Sequence, residues 1–390
     1  KINILKSMTD AERQKEQELK ANFIAASAQL NTAYSGSTPE QRRIDELKQQ
    51  LNKARDAYAE FRVNLFIAHP ELQLQRASYD PLALAQLSEP LFAKNPNLCL
   101  LSYLVGDDKT FLFVITRGKN ANVPVDLNVY TLKADKNREL TAKELKDSLN
   151  TFRQRYTNEA GLYKQLARDL YKSLLAPAKS ELKDRSHVVI IPDGILYSLP
   201  FQALIDEQDK HFIESHTVSY APSITALIQM MKLADKKKKN NANKPLFAMG
   251  RGTFPDQAQY RSLDLPKAEE QVKSIAHLFG VTSWTGTEAT KAKAILEMST
   301  ARYVHFATHG ELNEVAPMES AVVLGKSADD DGMLRARELV DMDLQAELVV
   351  LSACDTGLGQ PVSGEGIMGL TWALFVAGTP TSMVTQWQVR

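Results

Sequence analysis

The sequence is poor in residues that staple small secreted domains or hold metal ions. Its 390 residues include only two cysteines, Cys99 and Cys354, and seven histidines. Two cysteines exclude a disulfide framework and favour a reducing compartment, so we predict a cytoplasmic location. No cluster of His, Cys, Asp and Glu stands at metal-ligand spacing, so we predict no metal ion and no other cofactor.

An excess of charge of either sign is also missing. The 47 basic and 47 acidic residues give a formal net charge of zero, which argues against direct nucleic-acid binding and against a membrane-surface role. No apolar run approaches the roughly 18 residues of a membrane-spanning helix. The chain begins with lysine instead of methionine and has no signal-like stretch, so we expect it to be a fragment of a longer protein.

A helical pattern fills the first part of the chain. Residues 9–34 and 39–66 carry apolar side chains at alternating spacings of four and three, an a/d seam that predicts two long helices paired as an antiparallel hairpin. We therefore predict that residues 1–80 form a helical hairpin or coiled-coil connector. The seam consists of Leu19, Phe23, Ala26, Leu30, Ala33, Ile44, Leu47, Leu51, Ala54, Tyr58, Phe61 and Leu65.

The rest of the chain has an α/β pattern. Leu98–Val105 and Thr110–Thr116 predict a strand hairpin, and the lysine-rich stretch 235–244 predicts a solvated loop or domain boundary. Beyond it, apolar strand blocks alternate with helical patterns, which predicts a mostly parallel sheet with covering helices. We count 321–324 among these strands and 367–376 among the helices. In such sheets the active site lies beyond the carboxyl ends of the strands.

Two predicted strands deliver reactive side chains. The block 303–308 leads into His309, and the block 348–353 leads into Cys354. Both side chains are therefore expected at one edge of a parallel sheet, where nucleophilic catalysis needs them. The order His then Cys, at a separation close to the roughly 50 residues found in caspases, favours a pair over a buried inert cysteine and a strand-capping histidine.

The pair predicts acyl-transfer chemistry. Cys354 would attack a carbonyl as a thiolate, which a nearby imidazolium favours, and His309 would serve as its acid–base partner. The backbone N–H groups of Gly310 and Cys354 are the candidate oxyanion hole. Three acidic residues, Asp355, Glu365 and Asp341, are candidates for a substrate pocket that accepts a basic side chain, or else are solvated loop charges.

Two rival motifs fail on physical grounds. His305 and His309 form H-x3-H, but on a strand they lie about 13 Å apart and cannot share a metal ion. The glycines at 364, 366 and 369 match G-x-G-x-x-G, yet no acidic residue follows Glu365 to contact a ribose. We interpret those glycines as residues that shape the rim near Cys354.

These residues resemble the CHAT domain family, a caspase- and separase-related group of clan CD cysteine peptidases commonly attached to tetratricopeptide repeats. The resemblance covers most of the chain after about residue 95. It is strongest in the block around His309 and the block around Cys354, and the remaining motifs are Pro192-Asp193-Gly194, Leu199-Pro200-Phe201, Tyr220-Ala221-Pro222-Ser223, Leu265-Pro266, Gly364-Glu365-Gly366, Ala377-Gly378 and Trp387.

The resemblance implies a fold and an activity. The fold is α/β, with residues 81–244 as a degenerate caspase-like half that lacks the pair and residues 245–390 as the catalytic half, truncated at its C-terminus. The activity is that of an endopeptidase with a His309–Cys354 dyad that cleaves specific protein or peptide substrates. Upstream repeats would bind a regulatory protein that restrains or releases the peptidase.

Latency of the 1–390 piece is a further expectation. The segment 356–363 after Cys354 has no strand or helix pattern, and the family's sequence normally continues beyond Trp387. Two alternatives stay open at this point: a catalytically idle scaffold that relays protein–protein interactions, and a different cysteine enzyme such as an acyl transferase.

Overall fold

The computed structural model describes most of the chain after residue 82 and part of the chain before it. Two compact units emerge, residues 1–82 and 83–390. In the first unit the described residues from 10 to 61 are helical, and Leu47 and Leu51 of the predicted seam are buried; the pairing of two helices stays a prediction. The residues outside the description are 1–8, 13, 16–17, 20, 23–24, 27–28, 30–41, 44–45, 48, 52, 55–56, 59–60, 62–82, 121, 136–137, 159–162, 239–243, 258–259, 261–262, 314–316, 328–329, 354–359, 363–365 and 387–390.

The second unit begins with a five-stranded mixed sheet. Its strands in chain order are β1 (Leu98–Val105), β2 (Thr110–Asn120), β3 (Val123–Thr131), β4 (His187–Ile191) and β5 (Thr217–Tyr220). The spatial order is β3-β2-β1-β4-β5, with the first three strands antiparallel and β1, β4 and β5 mutually parallel. The run of Val and Ile in β4 is buried, as expected of a central parallel strand covered on both faces.

Helices cover both faces of this sheet. Ala142–Asn158 and Tyr163–Leu174 contribute buried side chains to the core cluster on one face. Ser88–Phe92 and Ile224–Lys238 contribute to the cluster on the other face. Successive residues of β1 enter the two clusters in turn, because side chains alternate along a strand. We name residues 83–238 the first half.

The second half, residues 244–386, is built on a parallel sheet. Its strands in chain order are β6 (Lys244–Gly250), β7 (Ser283–Thr285), β8 (Ala301–Ala307), β9 (Gly310–Glu311), β10 (Ala321–Val323), β11 (Met333–Arg335), β12 (Leu348–Ser352), β13 (Gln360–Val362), β14 (Gly366–Met368) and β15 (Ser382–Val384). Five of them pair in the order β15-β12-β8-β6-β7, and every pair is parallel. Three others form the small antiparallel sheet β11-β10-β9, and β13 pairs with β14.

Helices again lie on both faces of the parallel sheet. Pro266–Phe279 packs on one face and ends at Gly280, whose φ of 64° is the left-handed conformation that glycine favours at a helix terminus. Lys291–Glu297, Ala336–Val340 and Leu370–Val376 fill the core on the other face. The predicted mostly parallel sheet with covering helices is therefore confirmed, and no helix among the described residues has the length and apolar character to span a membrane.

Two segments after the main strands differ from their predictions. Residues 321–323 belong to the small antiparallel sheet instead of the parallel one, because they pair with β9, which follows β8, and with β11. The predicted helix 367–376 starts only at Leu370, since residues 366–368 form β14 opposite β13; β-branched Val362 and Ile367 favour a strand there. The expectation that 356–363 lacks secondary structure is thus wrong for residues 360–362.

The lysine-rich stretch 235–244 is not a loop at either of its ends, and its residues 239–243 lie outside the described part of the chain. Lys244 begins β6. Residues 235–238 complete the helix Ile224–Lys238. Lys237 is buried, and its ammonium donates a hydrogen bond to the carbonyl of Leu344 in the second half. A lysine stem covers apolar surface while its head reaches an acceptor, so composition alone misjudges this residue.

Candidate active site

Two adjacent parallel strands end side by side at the predicted site. Strand β8 pairs with β12 in the register Phe306 to Leu351 and Ala307 to Ser352, and the N–H of Thr308 donates to the Ser352 carbonyl at 3.2 Å. The chain reaches His309 two residues after Ala307 and Cys354 two residues after Ser352. Cys354 lies outside the described residues, so its meeting with His309 stays a prediction.

The ring of His309 has a fixed tautomer. Its Nε2 lies 2.5 Å from the carbonyl oxygen of Leu263. A carbonyl oxygen only accepts hydrogen bonds, so Nε2 carries the proton and donates it. In the neutral ring the lone pair is therefore on Nδ1, which leaves that nitrogen to accept a proton from a nucleophile.

Two aromatic rings pack against the imidazole of His309. Tyr260 stacks on His309 with ring centroids 5.4 Å apart and an interplanar angle of 20°, and the Phe254 ring lies at 5.0 Å. Phe254 is buried against the small antiparallel sheet. The Tyr260 hydroxyl donates to the Glu311 carboxylate at 2.6 Å. Burial and that hydrogen bond both raise the pKa of Tyr260, so the hydroxyl keeps its proton.

Leu263 and both aromatic residues belong to the segment that follows β6, and a buried arginine fixes this segment. Arg251 is only 4% exposed. Its Nε donates to the Thr253 carbonyl at 3.0 Å, and its guanidinium forms an ion pair with Asp256 and lies 5.3 Å above the Phe254 ring. The backbone N–H of Arg251 donates to the Ala307 carbonyl at 3.0 Å. This hydrogen bond holds the start of the segment against the end of β8.

Gly310 is held with its N–H turned away from the neighbouring strand. The N–H of Val323 donates to the His309 carbonyl at 2.9 Å, and Gly310 lies opposite Val322. Hydrogen-bonded and non-bonded pairs alternate along antiparallel strands, so Gly310 occupies a non-bonded position. Its N–H points away from β10, as an oxyanion donor requires.

Strand β15 pairs with β12 on the side opposite to β8. The N–H of Val349 donates to the Thr381 carbonyl at 3.1 Å. The hydroxyl of Thr385 donates to the carbonyl of Ala353, the residue before Cys354. Ala353 is 3% exposed, so the backbone is buried and hydrogen-bonded at the residue before Cys354.

Comparison with known proteins identifies the family. The sequence model of the CHAT domain matches residues 164–390 of the chain. The chain belongs to the CHAT domain family. It is 26% identical to tetratricopeptide repeat protein 28 of Mus musculus and 25% identical to that of Homo sapiens, over 58% and 57% of this chain. It covers 11% of the length of each of these relatives.

Of the three candidate pocket residues, the structure describes only Asp341. Asp355 and Glu365 lie outside the described residues, so their assignment to a substrate pocket is not tested. Asp341 precedes a segment whose Gln345 N–H donates to the Ser299 carbonyl, near the start of β8. Asp341 directly follows the helix Ala336–Val340, and its place in a substrate pocket stays a prediction.

The second cysteine is unsuited to catalysis. Cys99 is fully buried within β1 in the core of the first half. That burial raises the pKa of its thiol to about 12, so almost no thiolate forms at neutral pH. Across the described part of the chain, no group of three or more His, Cys, Asp or Glu side chains is placed to hold a metal ion.

Sequence reasoning missed Phe254, Tyr260 and Leu263. A weak signal existed, because they follow a parallel strand at its carboxyl end, where functional loops of α/β sheets collect. The Leu263 contribution comes from a backbone carbonyl and has no signature in residue type. Only the tertiary structure identifies it as the partner of His309.

Proposed function

We propose that this CHAT domain is a cysteine endopeptidase in which Cys354 is the nucleophile and His309 its acid–base partner. The observation that carries the proposal is the register of β8 and β12, which aligns Ala307 with Ser352. Because paired parallel strands end at one edge, residues two positions beyond each member of this pair are expected within reach of one another.

The chemistry follows from the tautomer of His309. With Nε2–H donated to Leu263, Nδ1 takes the thiol proton of Cys354, and the thiolate attacks the scissile carbonyl. The N–H groups of Gly310 and Cys354 stabilise the oxyanion. Nδ1–H then protonates the leaving amine, and the neutral ring activates the water that releases the acyl group.

We propose a division of labour along the chain. Residues 245–390 hold the site, residues 81–244 form a degenerate caspase-like half, and residues 1–80 form a helical hairpin or coiled-coil connector. In support, each half contains its own five-stranded sheet with helices on both faces, and the cysteine of the first half is buried and protonated.

Regulation by a protein partner is part of the proposal. The relatives are named for tetratricopeptide repeats, and we propose that repeats of this kind bind a regulatory protein and keep the peptidase latent until it engages. The substrate is a protein or peptide, met in the cytoplasm. Asp355 and Glu365 remain candidates for the pocket that selects its side chain.

The test is covalent labelling of the full-length protein. Iodoacetamide, followed by peptide mass spectrometry, measures how fast each cysteine reacts between pH 5 and 9. We expect Cys354 to react much faster than a model thiol at pH 6, and His309→Ala to slow it to the rate of an ordinary thiol. The controls are Cys99→Ala and His277→Ala, the latter at an exposed position on a helix, and both should leave labelling unchanged.

Turnover then separates the alternatives. Incubation with a peptide library, with and without candidate partners, should give cleavage products that Cys354→Ala abolishes. Transfer of the acyl group to an added amine in place of water would identify an acyl transferase. A Cys354 that reacts like an ordinary thiol, with no cleavage under any condition, would leave the idle scaffold as the function.

A further inference from the structure

A pair of glutamines joins the two halves of the CHAT domain. Gln202 lies in the 3-10 helix Phe201–Ala203 of the first half. Its side-chain Nε2 donates to the Oε1 of Gln386 at 2.9 Å, although the two residues are 184 positions apart. Both side chains are half-buried, so the contact is partly sheltered from water.

Tyr220 fixes the orientation of Gln202. The Tyr220 hydroxyl, at the end of β5, donates to Gln202 Oε1 at 2.6 Å and accepts the N–H of Phe201 at 2.9 Å. Burial raises the pKa of Tyr220, so the hydroxyl stays protonated and remains a donor. With Oε1 engaged in this way, the amide nitrogen of Gln202 must point towards Gln386.

Gln386 follows directly after the residue that clamps the nucleophile strand. Thr385 donates its hydroxyl to the carbonyl of Ala353, and Ala353 precedes Cys354. Two hydrogen bonds lead from Tyr220 through Gln202 to Gln386, the chain connects Gln386 to its neighbour Thr385, and a third hydrogen bond leads from Thr385 to the carbonyl of Ala353. The direction of the peptide unit that joins Ala353 to Cys354 decides where the N–H of Cys354 points.

The first half also touches the chain after Cys354. Strand β13 lies against the 3-10 helix Gly194–Ser198 of the first half. Contacts from the first half thus reach Gln386, next to the partner of Ala353, and β13, which follows Cys354 in the chain.

We propose that Tyr220, Gln202, Gln386 and Thr385 are positioning residues that hold the carbonyl of Ala353 and so orient the peptide that leads to Cys354. The inference rests on the proposed role of Cys354. A displacement near 1 Å at a catalytic group costs about 100-fold in rate, so loosening these contacts slows acylation without removing any group that touches the substrate.

The test compares matched variants of the full-length protein. Thr385→Val keeps the shape of the side chain and removes the hydroxyl, while Thr385→Ser keeps the hydroxyl. We expect Thr385→Val to lower the rate of Cys354 alkylation and kcat by about 10-fold or more, and Thr385→Ser to retain most of both. Gln202→Leu and Gln386→Leu should each have a similar effect, and the double variant should be no worse than either alone. KM should change little in all of them.

The control is another contact between the halves. Lys237→Met breaks the hydrogen bond to Leu344, which lies towards the opposite edge of the sheet, and should leave Cys354 alkylation within twofold of the parent. Melting temperatures are measured for every variant. Equal losses in Lys237→Met and Gln202→Leu, or equal rates in Thr385→Val and the parent, would overturn the positioning role.

The two proposals fail in different ways. A parent protein in which Cys354 alkylates like an ordinary thiol, and which cleaves no peptide with or without candidate partners, rejects the proposed function. A parent protein with fast alkylation that Thr385→Val and Gln386→Leu leave unchanged rejects only the positioning role.

Discussion

The stack of Tyr260 on His309 predicts a measurable contribution to catalysis. Tyr260→Phe removes the hydroxyl bond to Glu311 and keeps the ring, whereas Tyr260→Leu removes both. An aromatic pair contributes about 0.5–1.5 kcal/mol beyond its burial. If that energy holds His309 in its productive orientation, its loss lowers the population of that orientation and the rate by roughly 2- to 10-fold.

The ratio of the two variants isolates the ring, because both lose the same hydrogen bond. The assay is the second-order rate of Cys354 alkylation at pH 7, together with kcat and KM for any peptide that the protein cleaves. We expect Tyr260→Leu to be roughly 2- to 10-fold slower than Tyr260→Phe in alkylation and kcat, with KM unchanged. Equal rates for the two variants would refute the idea that the stack orients the imidazole.

Three further predictions concern other parts of the molecule. Burial raises the pKa of the Cys99 thiol to about 12, so Cys99 should resist iodoacetamide at pH 8 until the protein unfolds. Rapid labelling of the native protein at Cys99, detected by mass spectrometry, would contradict this. Gly325→Ala would place its Cβ 2.0 Å from Arg251 Nη1, so we expect a loss of about 1–3 kcal/mol in a denaturant titration; an unchanged midpoint would mean that Arg251 moves freely. Burial alone would raise the pKa of Asp331, but the hydrogen bonds from Arg335 and from the N–H of Met333, together with the charges of Arg335 and Lys291, outweigh burial and lower the pKa to about 2. The stability it supplies is complete above the ordinary value of 3.8 and is lost as pH falls towards 2, so the melting-temperature gap between the parent and Asp331→Asn should shrink from pH 5 to pH 3, and a constant gap would contradict the pairing.

The sequence by itself determined the class of the fold and the residues that could react. The apolar block before His309 and the block before Cys354 are long enough, and β-branched enough, to be recognised as buried strands from local pattern alone. Their alternation with helical patterns fixes an α/β architecture, because each such strand needs a helix to cover it. Short elements escaped the same reasoning: β13 and β14 have three residues each, too few for a period to appear.

Only the tertiary structure decided which groups surround His309 and the strand that leads to Cys354. Strand β12 lies beside β8, with Ser352 opposite Ala307. This pairing depends on the packing of helices on the sheet and cannot be predicted from the sequence of either strand alone. The Leu263 carbonyl that sets the tautomer of His309 belongs to the backbone, which every residue possesses, and so has no sequence signal. The contact of Gln202 with Gln386 joins residues 184 positions apart. Local patterns report burial and secondary structure, whereas contacts of this kind arise only when distant segments are packed together.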